Sequence, residues 1–237
     1  MKPIIIGNWK ANKNFTLFNK IPSTFDNIEI SIALPYVFIP QTINYNKSHI
    51  SIAAQDCSKF DKGAYTGEIP AIFLKENHVK YVIIGHSERR IYLKEDSNQL
   101  TAKIKNALNA GLRVIYCIGE TSTERNTGDY LKVLYNQFFS VIGKDIEIDI
   151  AYEPVWSIGT GIFPKIEEIK EVVEQIKKWS NGINVKGRII FGGSVSYEYI
   201  DSINDIKEID GLLIGGMSLK DEFIDICEKF NNLKANK

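Results

Sequence analysis

The sequence predicts an α/β protein folded as a single closed (β/α)8 barrel, and three observations lead to that fold. Eight short apolar runs, several rich in β-branched residues, recur along the chain. Helical patterns lie between them, and no G-x-G-x-x-G follows the first run.

The runs fall at 4–6, 28–34, 50–54, 81–84, 114–118, 146–151, 189–191 and 212–214. Leu100, Ile104 and Leu108, closed by Gly111, repeat at helical spacing, as do Leu131, Leu134, Phe138 and Val141. Pro164 suits the first turn of a further helix whose apolar face is Ile166, Ile169, Val173 and Ile176. The early helices give only short or Pro-interrupted patterns, at 15–20 and 36–46. Alternating strands and helices imply parallel βαβ units, and unbroken apolar strands imply a sheet covered by helices. An open doubly wound sheet and a closed barrel both satisfy this. The strand count, the missing dinucleotide fingerprint and a length of 237 residues, near the ~250 typical of the barrel, favour the barrel.

With 44% hydrophobic residues and no Pro/Gly/Ser-rich linker or charge block, residues 1–237 read as one domain. Lys plus Arg and Asp plus Glu both number 29, so no overall field gathers nucleic acid or an anionic membrane. Any anion is held by a local site. Cys57, Cys117 and Cys227 are odd in number and lack CxxC spacing, which argues against a disulfide framework or a Cys-rich zinc site. They read as buried thiols of a reducing compartment. The apolar run after Met1-Lys2-Pro3 is too short for a signal peptide, and no stretch is apolar enough to span a bilayer; the expected location is the cytoplasm.

In such a barrel the chemistry gathers where strands end at their C-terminal face. Asn8 and Lys10 follow the first strand, His86 and Glu88 the fourth, Glu120 the fifth, Glu153 the sixth, Gly192-Gly193-Ser194 the seventh and Gly215-Gly216 the eighth. Two glycine pairs on adjacent final strands let backbone N–H groups approach an anion, as a phosphate site requires; tight βα turns are the plainer use of such glycines. Opposite them stand one carboxylate, one imidazole and one ammonium, with no metal-ligand cluster and no nucleophilic Ser or Cys paired to a base. This set suits proton abstraction beside a carbonyl: Glu153 removes the proton, neutral His86 hydrogen-bonds the carbonyl oxygen and Lys10 stabilises the enediolate. A Schiff-base lysine at Lys10 is a second reading, although that chemistry usually places the amine deep on a strand.

Three stretches carry a family resemblance: Gly7-Asn8-Trp9-Lys10, Gly85-His86-Ser87-Glu88-Arg89-Arg90, and the run from Ala151-Tyr152-Glu153-Pro154-Val155-Trp156 to Gly161. They resemble, in order, the signatures of triosephosphate isomerase. Cys117-Ile118-Gly119-Glu120, Phe191-Gly192-Gly193-Ser194-Val195 and Leu213-Ile214-Gly215-Gly216 add further matches, so the resemblance spans essentially the whole chain. It implies a TIM barrel that interconverts dihydroxyacetone phosphate and D-glyceraldehyde 3-phosphate through an enediolate, in glycolysis and gluconeogenesis, without metal or organic cofactor. Glu153 is then the base and His86 the electrophile. The neutral histidine at a helix N-terminus is a property of the family, taken over with the resemblance. Asn8 and Lys10 hold substrate oxygens, and Glu88 orients Lys10; Glu88 could equally pair with Arg89 or Arg90. Gly159, Ser194, Leu213, Gly215 and Gly216 form the substrate and phosphate site. Pro154, Val155, Trp156, Ile158, Thr160 and Gly161 belong to a lid whose trailing part is 159–164. The segment 63–68 resembles the family's interlocking loop, which implies a homodimer with Tyr65 and Thr66 buried by the partner.

Some positions depart from the family. Ile162-Phe163-Pro164 shortens the lid's trailing hinge and makes it apolar, and Phe191 stands where the family has a tyrosine whose hydroxyl bonds the closed lid. A contact between Phe163 and Phe191 is the expected substitute. Asp56 stands where the family often has asparagine, and its partner is not legible from sequence. Two other functions fit less well: a barrel that binds phosphate without catalysis, which has no need of Glu153, and an isomerase of a larger sugar phosphate, which needs a longer cleft.

Overall fold

The computed structural model describes residues 1–43 and 50–235. The strands are β1 (Ile4–Asn8), β2 (Glu29–Leu34), β3 (Ile50–Ala54), β4 (Tyr81–Ile84), β5 (Arg113–Ile118), β6 (Asp149–Tyr152), β7 (Ile189–Gly193) and β8 (Gly211–Ile214). All pair in parallel in sequence order, and β8 closes on β1, with Ile4 opposite Gly211 and Ile6 opposite Leu213. This is the closed (β/α)8 barrel rather than the open sheet.

Alternation along each strand builds two cores. Ile4, Ile6, Ala33, Ala53, Tyr81, Ile83, Ile115, Cys117, Ala151, Ile190 and Leu213 fill the barrel interior. Ile5, Ile32, Val82, Val114, Ile150 and Leu212 belong to the second cluster, shared with helix residues such as Leu100, Ile104, Phe138, Ile169 and Ile176. The strands are thus buried on both sides, which is why they read as continuous apolar runs.

The predicted helical patterns at 100–108 and 131–141 correspond to helices Ser97–Asn109 and Tyr130–Phe139. The weak early patterns correspond to Phe15–Lys20, and to one 3-10 turn Tyr36–Phe38 running into Ile39–Ile43; the rest of the 36–46 pattern lies outside the described residues. Two expectations shift. Pro164 does not enter the first helical turn: the helix Ile166–Gly182 is capped at Lys165, whose N–H donates to the Glu168 carboxylate at 3.0 Å, and Pro164 is buried just ahead of it. The sixth strand begins at Asp149, because Glu147 makes only an isolated bridge to Lys186. A short helix, Ala71–Glu76, was not anticipated.

The end of the barrel opposite the strand C-termini is closed by charge. The Arg188 guanidinium meets both carboxylate oxygens of buried Asp149 and donates to the Tyr81 hydroxyl at 3.0 Å. No described helix is long and apolar enough to cross a membrane.

Candidate active site

β1 ends at Asn8, and the chain then turns sharply so that Lys10 points back over the barrel. Lys10 holds φ 50°, a left-handed conformation costly for a side chain of its size, of order 1–3 kcal/mol. Two hydrogen bonds hold it there: the Lys10 N–H donates to Asn8 Oδ1 at 3.0 Å, and Gln55 Nε2 donates to the Lys10 carbonyl at 2.8 Å. Trp9 is fully buried between them, and its indole N–H donates to the Ser218 carbonyl at 3.1 Å, tying this loop to the turn after β8.

His86 follows β4 as the N-cap of helix Ser87–Tyr92 and is 5% exposed. The Glu88 backbone N–H donates to its Nδ1 at 3.2 Å. A nitrogen that accepts carries no proton, so this bond places the hydrogen of the neutral ring on Nε2. Glu88 Oε2 lies 3.7 Å from the same Nδ1, beyond hydrogen-bond reach, so the N–H decides the tautomer. The other Glu88 oxygen pairs with the Lys10 ammonium. Arg89 instead binds Asp56 and Glu95, and Arg90 binds the Gly85 and Cys117 carbonyls, so of the readings open for Glu88 the geometry takes the pair with Lys10.

Glu153 follows β6, with its N–H on the Ile118 carbonyl at 2.9 Å and its side chain turned inward, 4% exposed. Its Oε1 stands 3.5 Å from His86 Nε2, and its buried Oε2 meets no N–H or O–H donor among the described residues. Behind it lies the Cys117 thiol, which burial first and the Glu153 charge second hold protonated well above its ordinary range.

These groups share one cavity of about 60 Å³, lined by Asn8, Lys10, His86, Glu153, Ile158, Gly159, Gly193, Leu213, Gly215 and Gly216. Ile158 and Gly159 come from the predicted lid, so that segment borders the same cavity as Asn8, Lys10, His86 and Glu153. A larger cleft runs along the far side of Gly215 and Gly216, past Ser194 and Lys220, and touches none of Asn8, Lys10, His86 or Glu153.

The predicted lid begins with Pro154 and the 3-10 turn Val155–Ser157. Glu120, expected on the rim, is completely buried behind this turn and accepts the Trp156 indole N–H at 3.0 Å and the Tyr152 hydroxyl at 3.2 Å. Burial raises its carboxyl above the usual range. Thr160 Oγ1 donates to the Ser157 carbonyl at 3.1 Å and accepts the Ile162 N–H at the same distance. Gly161 holds φ +75°, which lets the lid turn back. At the trailing hinge Phe163 meets Phe191 edge-on at 6.0 Å, the contact read from sequence, and also stacks flat on Tyr199 at 3.8 Å, which sequence did not suggest.

Two features escaped sequence reading. Gly192, read from sequence as one of a glycine pair for phosphate, also meets Glu153: a Cβ there would fall 2.6 Å from Glu153 Cγ, so its bare α-carbon is the floor beneath that carboxylate. A glycine inside a strand was the available signal. Asp56 also finds its partners, Lys103 Nζ at 2.6 Å and Arg89 at 2.7 Å. The segment 63–68 is exposed throughout in the single chain, with Tyr65 stacked on Phe60 at 4.0 Å.

Comparison with known proteins agrees with this geometry. A family model described as triosephosphate isomerase matches residues 3–230. A triosephosphate isomerase of Mesomycoplasma hyorhinis is 39% identical over 241 aligned residues, covering 95% of this chain and 97% of that protein. A cytosolic triosephosphate isomerase of Oryza sativa subsp. japonica is 37% identical over 236, covering 93% of each. The chain belongs to the triosephosphate isomerase family.

Proposed function

We propose that this chain interconverts dihydroxyacetone phosphate and D-glyceraldehyde 3-phosphate, with Glu153 as the base and His86 as the electrophile. The observation that carries the assignment is the 3.5 Å approach of Glu153 Oε1 to His86 Nε2 within one shared cavity. Glu153 removes the proton from the carbon beside the carbonyl. The Nε2–H of neutral His86 donates to the carbonyl oxygen as negative charge builds there. Lys10, held by Glu88 and by its bonds to Asn8 and Gln55, supplies the fixed cation. Return of the proton to the neighbouring carbon exchanges ketose for aldose. No step calls for a metal or an organic cofactor.

The phosphate rests against backbone N–H groups of Gly159, Gly215 and Gly216, with Leu213 and Ser194, whose own N–H is given to Ser157 Oγ, beside it. Intact Glu153 and His86 weigh against a barrel that only binds.

The enzyme works as a homodimer in the cytoplasm, within glycolysis and gluconeogenesis. The dimer reading rests on the exposed segment 63–68, on Tyr65 at 44% exposure, and on Phe73, Ile91, Tyr92 and Leu93, large apolar side chains also left exposed. Three free, buried cysteines accord with a reducing compartment.

The test is isomerisation of each triose phosphate by the purified chain in deuterated water. Interconversion with solvent deuterium entering the carbon skeleton is expected. Absence of interconversion in both directions would overturn the assignment.

A further inference from the structure

We infer that Ser157 is a positioning residue that straps the lid shut over the enediolate, an inference resting on the isomerase reading above. Ser157 lies four residues after Glu153, at the end of the turn Val155–Ser157, and is completely buried. A buried serine in a turn is ordinarily bonded to its own neighbourhood. This one reaches across the lid: its Oγ donates to the Ile162 carbonyl at 2.8 Å, closing the leading limb of the lid on the trailing one.

The same oxygen accepts the Ser194 N–H, at 3.3 Å, from the loop after β7, and the Ser194 hydroxyl donates back to the Ser157 carbonyl. Gly193, at φ +135°, makes this approach possible, since a Cβ there would fall 3.1 Å from Ser157 Oγ. One hydroxyl therefore uses its single donor on the lid and an acceptor lone pair on the barrel floor. The remaining contacts of the lid's trailing end are apolar, through Phe163 on Phe191 and Tyr199. With Phe191 carrying no hydroxyl, the Ser157 side chain and the Ser194 hydroxyl supply the polar half of the closure.

A strap matters because of what the intermediate does in an open site. The enediolate can move its electron pair to form a terminal C=C bond as the C–O bond to phosphate breaks, releasing inorganic phosphate and the enol of a three-carbon dicarbonyl. A closed lid prevents that geometry and excludes water. Loss of one such hydrogen bond lowers the closed population by about two- to ten-fold.

The experiment measures inorganic phosphate released per isomerisation by wild type and Ser157→Ala at saturating dihydroxyacetone phosphate. The variant should raise that ratio about two- to ten-fold. Ser157→Cys, which keeps a weaker donor in the same place, should fall between, and its comparison with wild type decides the matter if the alanine variant does not fold. An unchanged ratio in a folded variant overturns the inference. So does a fall in kcat with an unchanged ratio, since a purely structural serine displaces the base without altering the fate of the intermediate. A wild-type chain that isomerises neither triose phosphate would instead overturn the functional reading.

Discussion

The carboxylate side chain of Glu153 lies on the bare α-carbon of Gly192, so closely that a methyl there would come within 3.0 Å of Oε1 as well as 2.6 Å of Cγ. Gly192→Ala is therefore expected to push the base aside without disturbing β7, whose pairing with Leu213 is made by backbone alone. A displacement of about 1 Å costs on the order of a hundredfold in rate. Steady-state kinetics should show that loss in kcat, with KM moved far less.

The bond from the Glu88 N–H to His86 Nδ1 fixes which nitrogen carries the proton. Nitrogen-15 NMR should find a neutral ring protonated on Nε2 at neutral pH. His86→Gln should lower kcat by about 10²–10⁴-fold, the usual share of a positioned proton donor.

Much of this was legible in the chain, for physical reasons particular to each feature. The strands announced themselves because each is buried on both faces, and His86 and Glu153 because strand ends gather chemistry in a barrel. The sixth strand was placed early because Ile146 and Ile148 are apolar without being paired in it. Helix Ala71–Glu76 is too short to display a helical period. The roles of Gly192, Ser157 and Tyr199 depend on closures between distant segments, and no local pattern encodes them. Lys103, which neutralises Asp56, is likewise 47 residues away.

Asp56 carries a pH signature. Burial, only partly offset by Lys103, raises its carboxyl from 3.8 to about 6. A carboxyl whose folded pKa is raised favours the folded state most at low pH. Its contribution is complete below about pH 4 and is lost as pH rises to about 6, by up to roughly 3 kcal/mol. Urea unfolding of wild type and Asp56→Asn should show their stability difference moving against wild type across that window and flat above it. A constant difference would contradict the account.

The proposed burial of Tyr65 and Thr66 by a second copy predicts a dimer in sedimentation at micromolar concentration. Replacing Tyr65 by Asp should give monomers of much reduced activity. A fully active wild-type monomer would contradict the proposed assembly.

The central claim is that Glu153 moves the proton, and replacement of Glu153 by Asp tests it most directly. The shorter side chain keeps the carboxylate and withdraws its oxygens from the 3.5 Å approach to His86. Isomerisation of the two triose phosphates should fall by about a hundredfold or more in kcat while KM changes only a few-fold. Equal turnover by wild type and the aspartate variant would contradict the assignment of the base.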